Sequence, residues 1–242
     1  MGFVDLHDHL LWGIDDGCET PAQALEAARL LASLGYTELA PSPHAIDELP
    51  SGDPALCEAR RGELAALLAR EGVPLALHAN AENRLDEAFL ARAALPATRR
   101  GIGASARWVL VEAPFQAHLP SLPDLVFRLR RKGVLPLFAH PERCLEFERP
   151  DRAQETVRLG GALQLNLGSL AGVHGKAAKR QAERFLREGL YAVAATDLHR
   201  PEGARRWVEE GLAALEKATG ADGLQRLCVE NPRRIVAGEE LE

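Results

Sequence analysis

The sequence predicts one α/β domain, residues 1–242, with a parallel sheet closed or nearly closed into a barrel. Short apolar runs alternate with longer amphipathic segments, which is the pattern of βα units. Neither a composition break nor a Ser/Gly linker divides the chain, and single α/β barrels are common at this length. An open doubly wound sheet is the alternative arrangement of the same units.

Seven apolar runs are predicted strands, and they cover residues 3–7, 37–42, 73–79, 108–113, 134–140, 162–168 and 191–197. Helices are predicted between and after them at about 21–34, 54–71, 121–132, 151–159, 175–188, 202–218 and 232–237. Thr20-Pro21 and Asn231-Pro232 each suit an N-cap followed by Pro at the first helical position. Four glycines are predicted to end helices: Gly35, Gly72, Gly133 and Gly189.

Composition excludes several classes of protein. The net charge is −6 and no run of five like charges occurs, which argues against a nucleic-acid or anionic-membrane partner. No apolar stretch approaches the roughly 18 residues of a transmembrane helix, and the first residues lack the pattern of a signal peptide. The cysteines form no C-x-x-C pair, which predicts a cytoplasmic protein with free thiols: Cys18, Cys57, Cys144 and Cys228.

Histidine and acidic residues gather where the predicted strands end. In parallel α/β folds the loops after the carboxyl ends of strands converge on one face, so reactive side chains collect there. The sequence therefore predicts one cluster at that rim, formed by His7, His9, Asp16, His44, Glu82, Glu112, His140, Asp197 and His199.

The spacing within this cluster indicates metal binding. His7 and His9 lie two residues apart in an extended segment, where alternate side chains project to the same side and can bind one ion. Asp197 and His199 repeat that spacing after the last predicted strand. Imidazole and carboxylate groups suit Mn, Fe, Zn or Co. Nine such groups exceed what one ion uses, so two or three ions are expected.

Three arginines follow these residues closely. Arg84, Arg143 and Arg205 are predicted to bind substrate, because a planar guanidinium can hold two phosphate oxygens. A solvated surface position is the alternative for each. The remaining histidines have no matching partner in the pattern and are predicted to be structural: His78, His118 and His174.

The motifs resemble those of a known family. The resemblance rests on strings that occur in the order DLHDHLLWGIDDG, PSPH, NAENR, VLVEAP, AHPER, LNLGSLAGVHGKAAKR and ATDLH. These are similar to the PHP (polymerase and histidinol phosphatase) superfamily, and within it to bacterial PHP-type protein-tyrosine phosphatases of the CpsB/YwqE group, which act in capsule and exopolysaccharide synthesis. The resemblance extends from residue 3 to about 237.

The resemblance implies a distorted seven-stranded, TIM-like barrel with a trinuclear metal centre, usually containing manganese. All nine residues of the predicted cluster occupy the family's ligand positions, and Arg143 matches an arginine that binds phosphate. His44 and His199 are further catalytic candidates beside Arg143. The chain departs from the family after His44, where it reads AIDELP, and at Cys144, where Tyr is common.

The activity implied is hydrolysis of a phosphate monoester, with phosphotyrosine on a bacterial tyrosine autokinase as the substrate. Histidinol phosphate or another small phosphoester is the alternative substrate for the same site. A non-catalytic module that binds a tyrosine-rich kinase tail is a second alternative. Nuclease activity, a third, is disfavoured by the negative net charge.

Overall fold

The fold consists of parallel strands and surrounding helices in the computed structural model, which describes residues 2–96 and 98–241. The strands are β1 (Phe3–Asp5), β2 (Tyr36–Leu39), β3 (Ala76–Leu77), β4 (Glu82–Arg84), β5 (Trp108–Glu112), β6 (Leu135–Phe138), β7 (Ala162–Asn166) and β8 (Tyr191–Ala195). The helices are α1 (Pro21–Ser33), α2 (Pro54–Arg70), α3 (Glu87–Ala93), α4 (Leu122–Arg131), α5 (Arg152–Arg158), α6 (Leu167–Ala171), α7 (Gly175–Arg187), α8 (Ala204–Gln225) and α9 (Asn231–Ala237).

The strands form two parallel sheets that are linked by two isolated bridges. One sheet has the order β1-β2-β3 and the other the order β4-β5-β6-β7-β8. A parallel bridge between Asp8 and Leu198 links the ends of β1 and β8, and a second bridge links His44, beyond β2, to Glu82 in β4. The strands therefore surround a common interior, as expected for a closed or nearly closed α/β barrel.

The number of strands differs from the prediction. Seven strands were predicted, whereas the described residues form eight short strands. The additional strand arises because residues 76–84 contribute both β3 and β4. β3 pairs with β2, whereas β4 pairs with β5. The sequence did not predict β4, since Asn-Ala-Glu-Asn-Arg contains no apolar run.

The predicted helices all occur, with ends that differ by a few residues. Two short helices, α3 and α6, were not predicted. The helix predicted at 202–218 extends to Gln225, with a kink at Gly220, whose positive φ of 73° breaks the helical conformation. The predicted stops at Gly35, Gly72, Gly133 and Gly189 all have positive φ. No helix in the described ranges is long and apolar enough to cross a membrane.

The two predicted N-caps have different outcomes. Thr20 caps α1, because its hydroxyl oxygen accepts a hydrogen bond from the Gln23 amide at 3.2 Å. The predicted N-cap at Asn231 is wrong. The backbone runs from an irregular helical turn, Arg226–Glu230, directly into α9. The side-chain Nδ2 of Asn231 donates to the Ala192 carbonyl at 2.7 Å instead of capping the helix.

Apolar side chains fill the barrel interior and the spaces beneath the helices. The interior cluster contains Val4, Leu110, Leu137 and Val193 from four different strands, and Ile235 of α9 joins it. Two further clusters pack the outer faces of the strands against the helices. The four cysteines are buried free thiols. This packing holds the strands rigidly and leaves their carboxyl ends to carry polar side chains.

A buried ion pair supports the loop between β5 and α4, residues 113–121. Arg152 Nε lies 2.7 Å from Glu146 Oε1, and these side chains are 9% and 0% exposed. The other carboxylate oxygen, Glu146 Oε2, accepts a hydrogen bond from the Leu119 amide at 2.7 Å. A buried charge requires such partners, because removal from water is costly.

Replacing Arg152 should destabilise the protein by leaving Glu146 buried with weaker partners. We expect Arg152→Met to lower the free energy of unfolding by about 2 to 3 kcal/mol. The loss stays below that of an isolated charge, since His118 and Arg149 remain 3.4 and 3.9 Å from Glu146. Urea unfolding measures the change.

Arg158→Met on the same helix is the matched control, because Arg158 is exposed. This control should change the free energy of unfolding by less than about 0.5 kcal/mol. Equal losses in the two variants would contradict a specific role for the buried pair.

Candidate metal centre

The nine predicted ligands lie together at the carboxyl ends of the strands. Their nitrogen and oxygen atoms form four overlapping groups, and within each group the atoms lie within 4.8 Å of one another. The groups share members, so they constitute one cluster, which we call the rim cluster. The four groups are His9, Asp16, His44 and His199; His7, His9 and Glu82; His7, His140 and Asp197; and His44, Glu82 and Glu112.

His7 and His9 lie at the centre of the rim cluster and are fully buried. Their Nε2 atoms are 3.3 Å apart. His7 Nδ1 lies 2.8 Å from Gln164 Oε1, and His9 Nδ1 lies 2.9 Å from Asp15 Oδ2. Because both partners are acceptors, each Nδ1 donates to its partner, and Nε2 is the ring nitrogen that faces the cluster and is available to a metal ion.

Asp16 connects two more imidazoles at the outer edge of the cluster. Its Oδ1 atom lies 3.3 Å from His44 Nε2 and 3.5 Å from His199 Nε2. His199 Nδ1 donates to the carbonyl of Asp197 at 2.9 Å, so its Nε2 lone pair also faces the cluster. Glycine is needed at position 17, since a Cβ there would lie 2.5 Å from the Cβ of His9. The absence of a Cβ at this position allows the loop that carries Asp16 to lie close against His9.

Burial and neighbouring charges shift the pKa values of the central groups. Burial opposes the charged form of His7, yet Glu82 and Asp197 raise its pKa to about 9. Burial likewise opposes ionisation of Glu82, but His7, His140 and His44 hold its pKa well below the usual range. Burial and the nearby Glu82 raise the pKa of Glu112 to about 7. The carboxylates thus attract positive charge into a buried site.

These groups fit divalent metal ions. The Nε2 atoms of His7 and His9 face one another at 3.3 Å, an arrangement that a shared cation would stabilise. His7 Nε2 also lies 3.3 Å from Asp197 Oδ1 and 3.4 Å from Glu82 Oε2, so nitrogen and oxygen ligands surround one space. The donors are imidazoles and carboxylates, which suit catalytic ions such as Mn, Fe, Zn or Co. Burial raises the pKa of the Cys144 thiol, which is therefore a poor metal ligand.

Two residues of the cluster have left-handed backbone conformations. His140 has a φ of 31° and Asp197 a φ of 57°, and each follows a buried strand. Non-glycine residues rarely adopt this conformation, which is costly unless the surrounding structure enforces it. Here it turns the chain at the strand ends so that both side chains point into the cluster.

Arg143 lies at the edge of the rim cluster. It belongs to a short 3₁₀ turn, Pro141–Arg143, directly after His140. Its Nη1 atom donates to Asp197 Oδ2 at 2.9 Å, and its side chain is 25% exposed. A partly exposed guanidinium next to a metal-binding cluster is suited to holding an anionic group.

The other two predicted substrate-binding arginines make their hydrogen bonds to residues outside the rim cluster. Arg84 Nε donates to Asp86 at 3.1 Å, and this side chain is 52% exposed. Arg205 donates to Ser33 at 2.7 Å and to Glu209 at 3.2 Å, on the outer surface of α1 and α8. The solvated alternative therefore describes Arg205, whereas the substrate-binding role of Arg84 stays a prediction.

Sequence reasoning did not assign the residues that orient the ligands. Asp15 and Gln164 hold His9 and His7, and Asn166 Nδ2 donates to Asp197 Oδ2 at 2.8 Å. A signal was available for two of them, since Gln164 and Asn166 are alternate polar residues in an otherwise apolar strand. Alternate residues of a strand face the same side.

The three histidines that were predicted to be structural differ in position. His78 pairs with Glu38 at 2.9 Å, and His118 lies 3.4 Å from Glu146. His174 lies close to the site: loss of solvation and then the charge of Arg143 lower its pKa to about 4. A loop position alone gave no indication of this proximity.

The fold and the cluster together define a class of protein, the α/β barrels with a metal-binding site at the carboxyl ends of the strands. The chain matches the family model described as "Capsular polysaccharide synthesis, CpsB/CapC" over residues 3–237, and it belongs to that family. This membership confirms the resemblance to the CpsB/YwqE group.

Relatives of known name are similar over nearly their full length. The tyrosine-protein phosphatase YwqE of Bacillus subtilis is 30% identical over 243 residues, covering 98% of this chain and 93% of that protein. The tyrosine-protein phosphatase CpsB of Streptococcus pneumoniae is 25% identical, covering 96% and 98%.

Solved structures give the same result for the fold. A crystal structure from a study of YwqE and CpsB, called there unique metal-dependent tyrosine phosphatases, has a TM-score of 0.89 and 28% identity, covering 99% of this chain and 96% of that one. A histidinol phosphate phosphatase from Lactococcus lactis has a TM-score of 0.58 at 12% identity, covering 90% and 94%, a likeness of fold alone.

Loss of the charge that orients His9 should weaken metal binding. We expect Asp15→Asn to lower the affinity for Mn²⁺ roughly tenfold or more, because partners of ligating histidines fix ring orientation and basicity. Competition with a metallochromic chelator measures the affinity.

Asp47→Asn is the matched control, since the Asp47 side chain is 76% exposed and lies outside the cluster. It should bind Mn²⁺ like the unaltered protein. Unchanged affinity in Asp15→Asn would show that His9 does not need this partner.

Proposed function

We propose that this protein is a metal-dependent protein-tyrosine phosphatase. The observation that carries the proposal is the rim cluster of nine His and carboxylate side chains with Arg143 at its edge. Such a site suits phosphate esters, because metal ions and a guanidinium both neutralise negative charge on phosphoryl oxygens. Membership of the CpsB/CapC family and the names of the relatives support phosphotyrosine as the substrate.

The residues that would hold the ions are the nine of the rim cluster. Two or three bound divalent ions supply Lewis acidity and an activated water molecule at neutral pH. Manganese is proposed from the family resemblance, and Fe, Zn and Co suit similar ligands. Asp15, Gln164 and the Asp197 carbonyl keep three imidazole rings in the required tautomer.

Arg143 is proposed to bind and orient the phosphoryl group. Asp197 accepts one of its hydrogen bonds, which fixes the guanidinium beside the cluster and leaves further N–H groups for phosphate oxygens. Phenolate leaves readily, so the reaction makes little demand on a general acid. The further catalytic role of His44 and His199 remains a prediction. Both nitrogens of His44 already face carboxylate oxygens, at 3.0 and 3.3 Å.

Several finer assignments belong to the same proposal. The substrate is proposed to be a bacterial tyrosine autokinase of capsule or exopolysaccharide synthesis, and the location cytoplasmic. We also propose that the chain is one domain, and that β3 and β4 count as one interrupted strand of a seven-stranded barrel. The positions of β3 and β4 support this, because they follow each other in the chain and occupy the space between β2 and β5.

Metal removal tests the proposed function directly. Elemental analysis of the purified protein should find two or three equivalents of divalent metal per chain. Hydrolysis of a phosphotyrosyl peptide should be lost after chelation and should return with Mn²⁺. His140→Ala should fold and be inactive. Absence of metal, or turnover that a chelator does not affect, would contradict the proposal, and faster turnover of histidinol phosphate would favour the small-molecule alternative.

Removing the Arg143 guanidinium should impair catalysis without loss of metal. We expect Arg143→Met to lower kcat/KM for a phosphotyrosyl peptide roughly 10²- to 10³-fold, because a charged donor to the phosphoryl oxygens is lost. Metal content, measured on the same sample, should be unchanged. Arg205→Met is a matched substitution whose guanidinium group lies on the outer surface of α1 and α8, and a similar loss in this variant would contradict the assignment.

A further inference from the structure

Phe115 is a partly exposed aromatic residue beside the rim cluster. It lies three residues after β5 and is 38% exposed. Its ring centroid is 5.3 Å from that of His140, and Arg143 Cζ lies 4.7 Å from the Phe115 centroid. Both neighbours belong to the proposed active site. An apolar aromatic surface therefore borders the place where Arg143 would hold a phosphoryl group.

The position of Phe115 is fixed by the backbone around it. The Leu145 amide donates to the Phe115 carbonyl at 3.1 Å. Further along the same loop, the Leu119 amide donates to the buried carboxylate of Glu146. Both bonds tie the loop to the segment that directly follows Arg143. The backbone that carries the Phe115 ring is thus anchored to the segment that follows Arg143, and a specific binding surface requires such support.

A comparison with Phe127 distinguishes this position from an ordinary exposed aromatic. Phe127 on α4 is 51% exposed, and Arg131 Cζ lies 5.9 Å from its ring centroid. Single exposed apolar residues of this kind are normal on protein surfaces. Phe115 differs because its ring also lies beside His140, a member of the rim cluster, at a centroid distance of 5.3 Å.

We propose that Phe115 is a specificity-determining residue that packs against the aromatic ring of the substrate. This inference rests on the proposed function. In an aryl phosphate, only the ester oxygen separates the phosphorus from the ring, so a phosphoryl group at Arg143 places that ring next to Phe115. Aromatic pairs prefer offset or edge-to-face contacts, which the partly exposed Phe115 ring permits. Phosphoserine has no ring at that place, so Phe115 selects for phosphotyrosine.

Phe115→Leu tests the proposal, because leucine keeps an apolar side chain without the ring. Two peptides that differ only in carrying phosphotyrosine or phosphoserine provide the substrates. The ratio of their kcat/KM values should fall roughly three- to tenfold, mainly through a higher KM for the phosphotyrosyl peptide. Competitive inhibition by phenylphosphonate should weaken relative to that by inorganic phosphate, which has no ring. Phe115→Tyr should restore both ratios, and Phe127→Leu should leave them unchanged.

Other outcomes would overturn the proposal. Unchanged ratios would show that the substrate ring does not contact Phe115. Equal losses with both peptides, together with weaker inhibition by inorganic phosphate, would show that Phe115 only positions Arg143. If the metal-loaded protein hydrolyses neither peptide, the proposed function fails separately. Calorimetric binding of phenylphosphonate against inorganic phosphate then decides the role of Phe115 by itself.

Discussion

Glu82 takes part in both the closure of the barrel and the centre of the rim cluster. Its carbonyl accepts a hydrogen bond from the Ala45 amide at 2.8 Å, and its backbone pairs with His44 on one side and Leu110 on the other. Its carboxylate lies 3.0 to 3.6 Å from four imidazoles, those of His7, His9, His44 and His140. A change in the closure of the barrel would therefore move the central carboxylate of the site, so fold and metal centre depend on the same residue.

Asp197 makes a comparable connection between the metal centre and the substrate site. Its Oδ1 atom lies 3.3 Å from His7 Nε2 and 3.5 Å from His9 Nε2, whereas Oδ2 accepts hydrogen bonds from Arg143 and Asn166. The left-handed backbone at this position, φ 57°, directs the side chain inward. One carboxylate thus faces the ligands with one oxygen and positions the guanidinium with the other. A single side chain therefore connects the rim cluster to Arg143, the arginine proposed to bind phosphate.

The sequence predicted most of the fold and the gathering of the nine ligands, because strand ends in a parallel sheet share one rim. It did not predict the pairing of His7 with Gln164, which lies 157 positions away, since periodicity gives the face of a strand and not the partner. β4 was missed because all three of its residues, Glu82 to Arg84, are polar and give no apolar pattern. Arg205 was misplaced because nearness to His199 in sequence does not reveal that its side chain runs outward to Ser33.

The ligands and the proposed specificity residue occupy different parts of the structure. The rim cluster stands on strand ends that pack against the core, whereas Phe115 stands on the loop at 113–121, which Glu146 and Leu145 hold from outside the barrel. Substitutions in this loop can change the surface that contacts the substrate while the ligand geometry stays the same. The metal ligands and the loop that contacts the substrate can therefore change independently in this fold. For this reason the ligand set indicates a phosphoesterase, while the identity of its substrate has to be inferred from the loop residues beside the rim cluster.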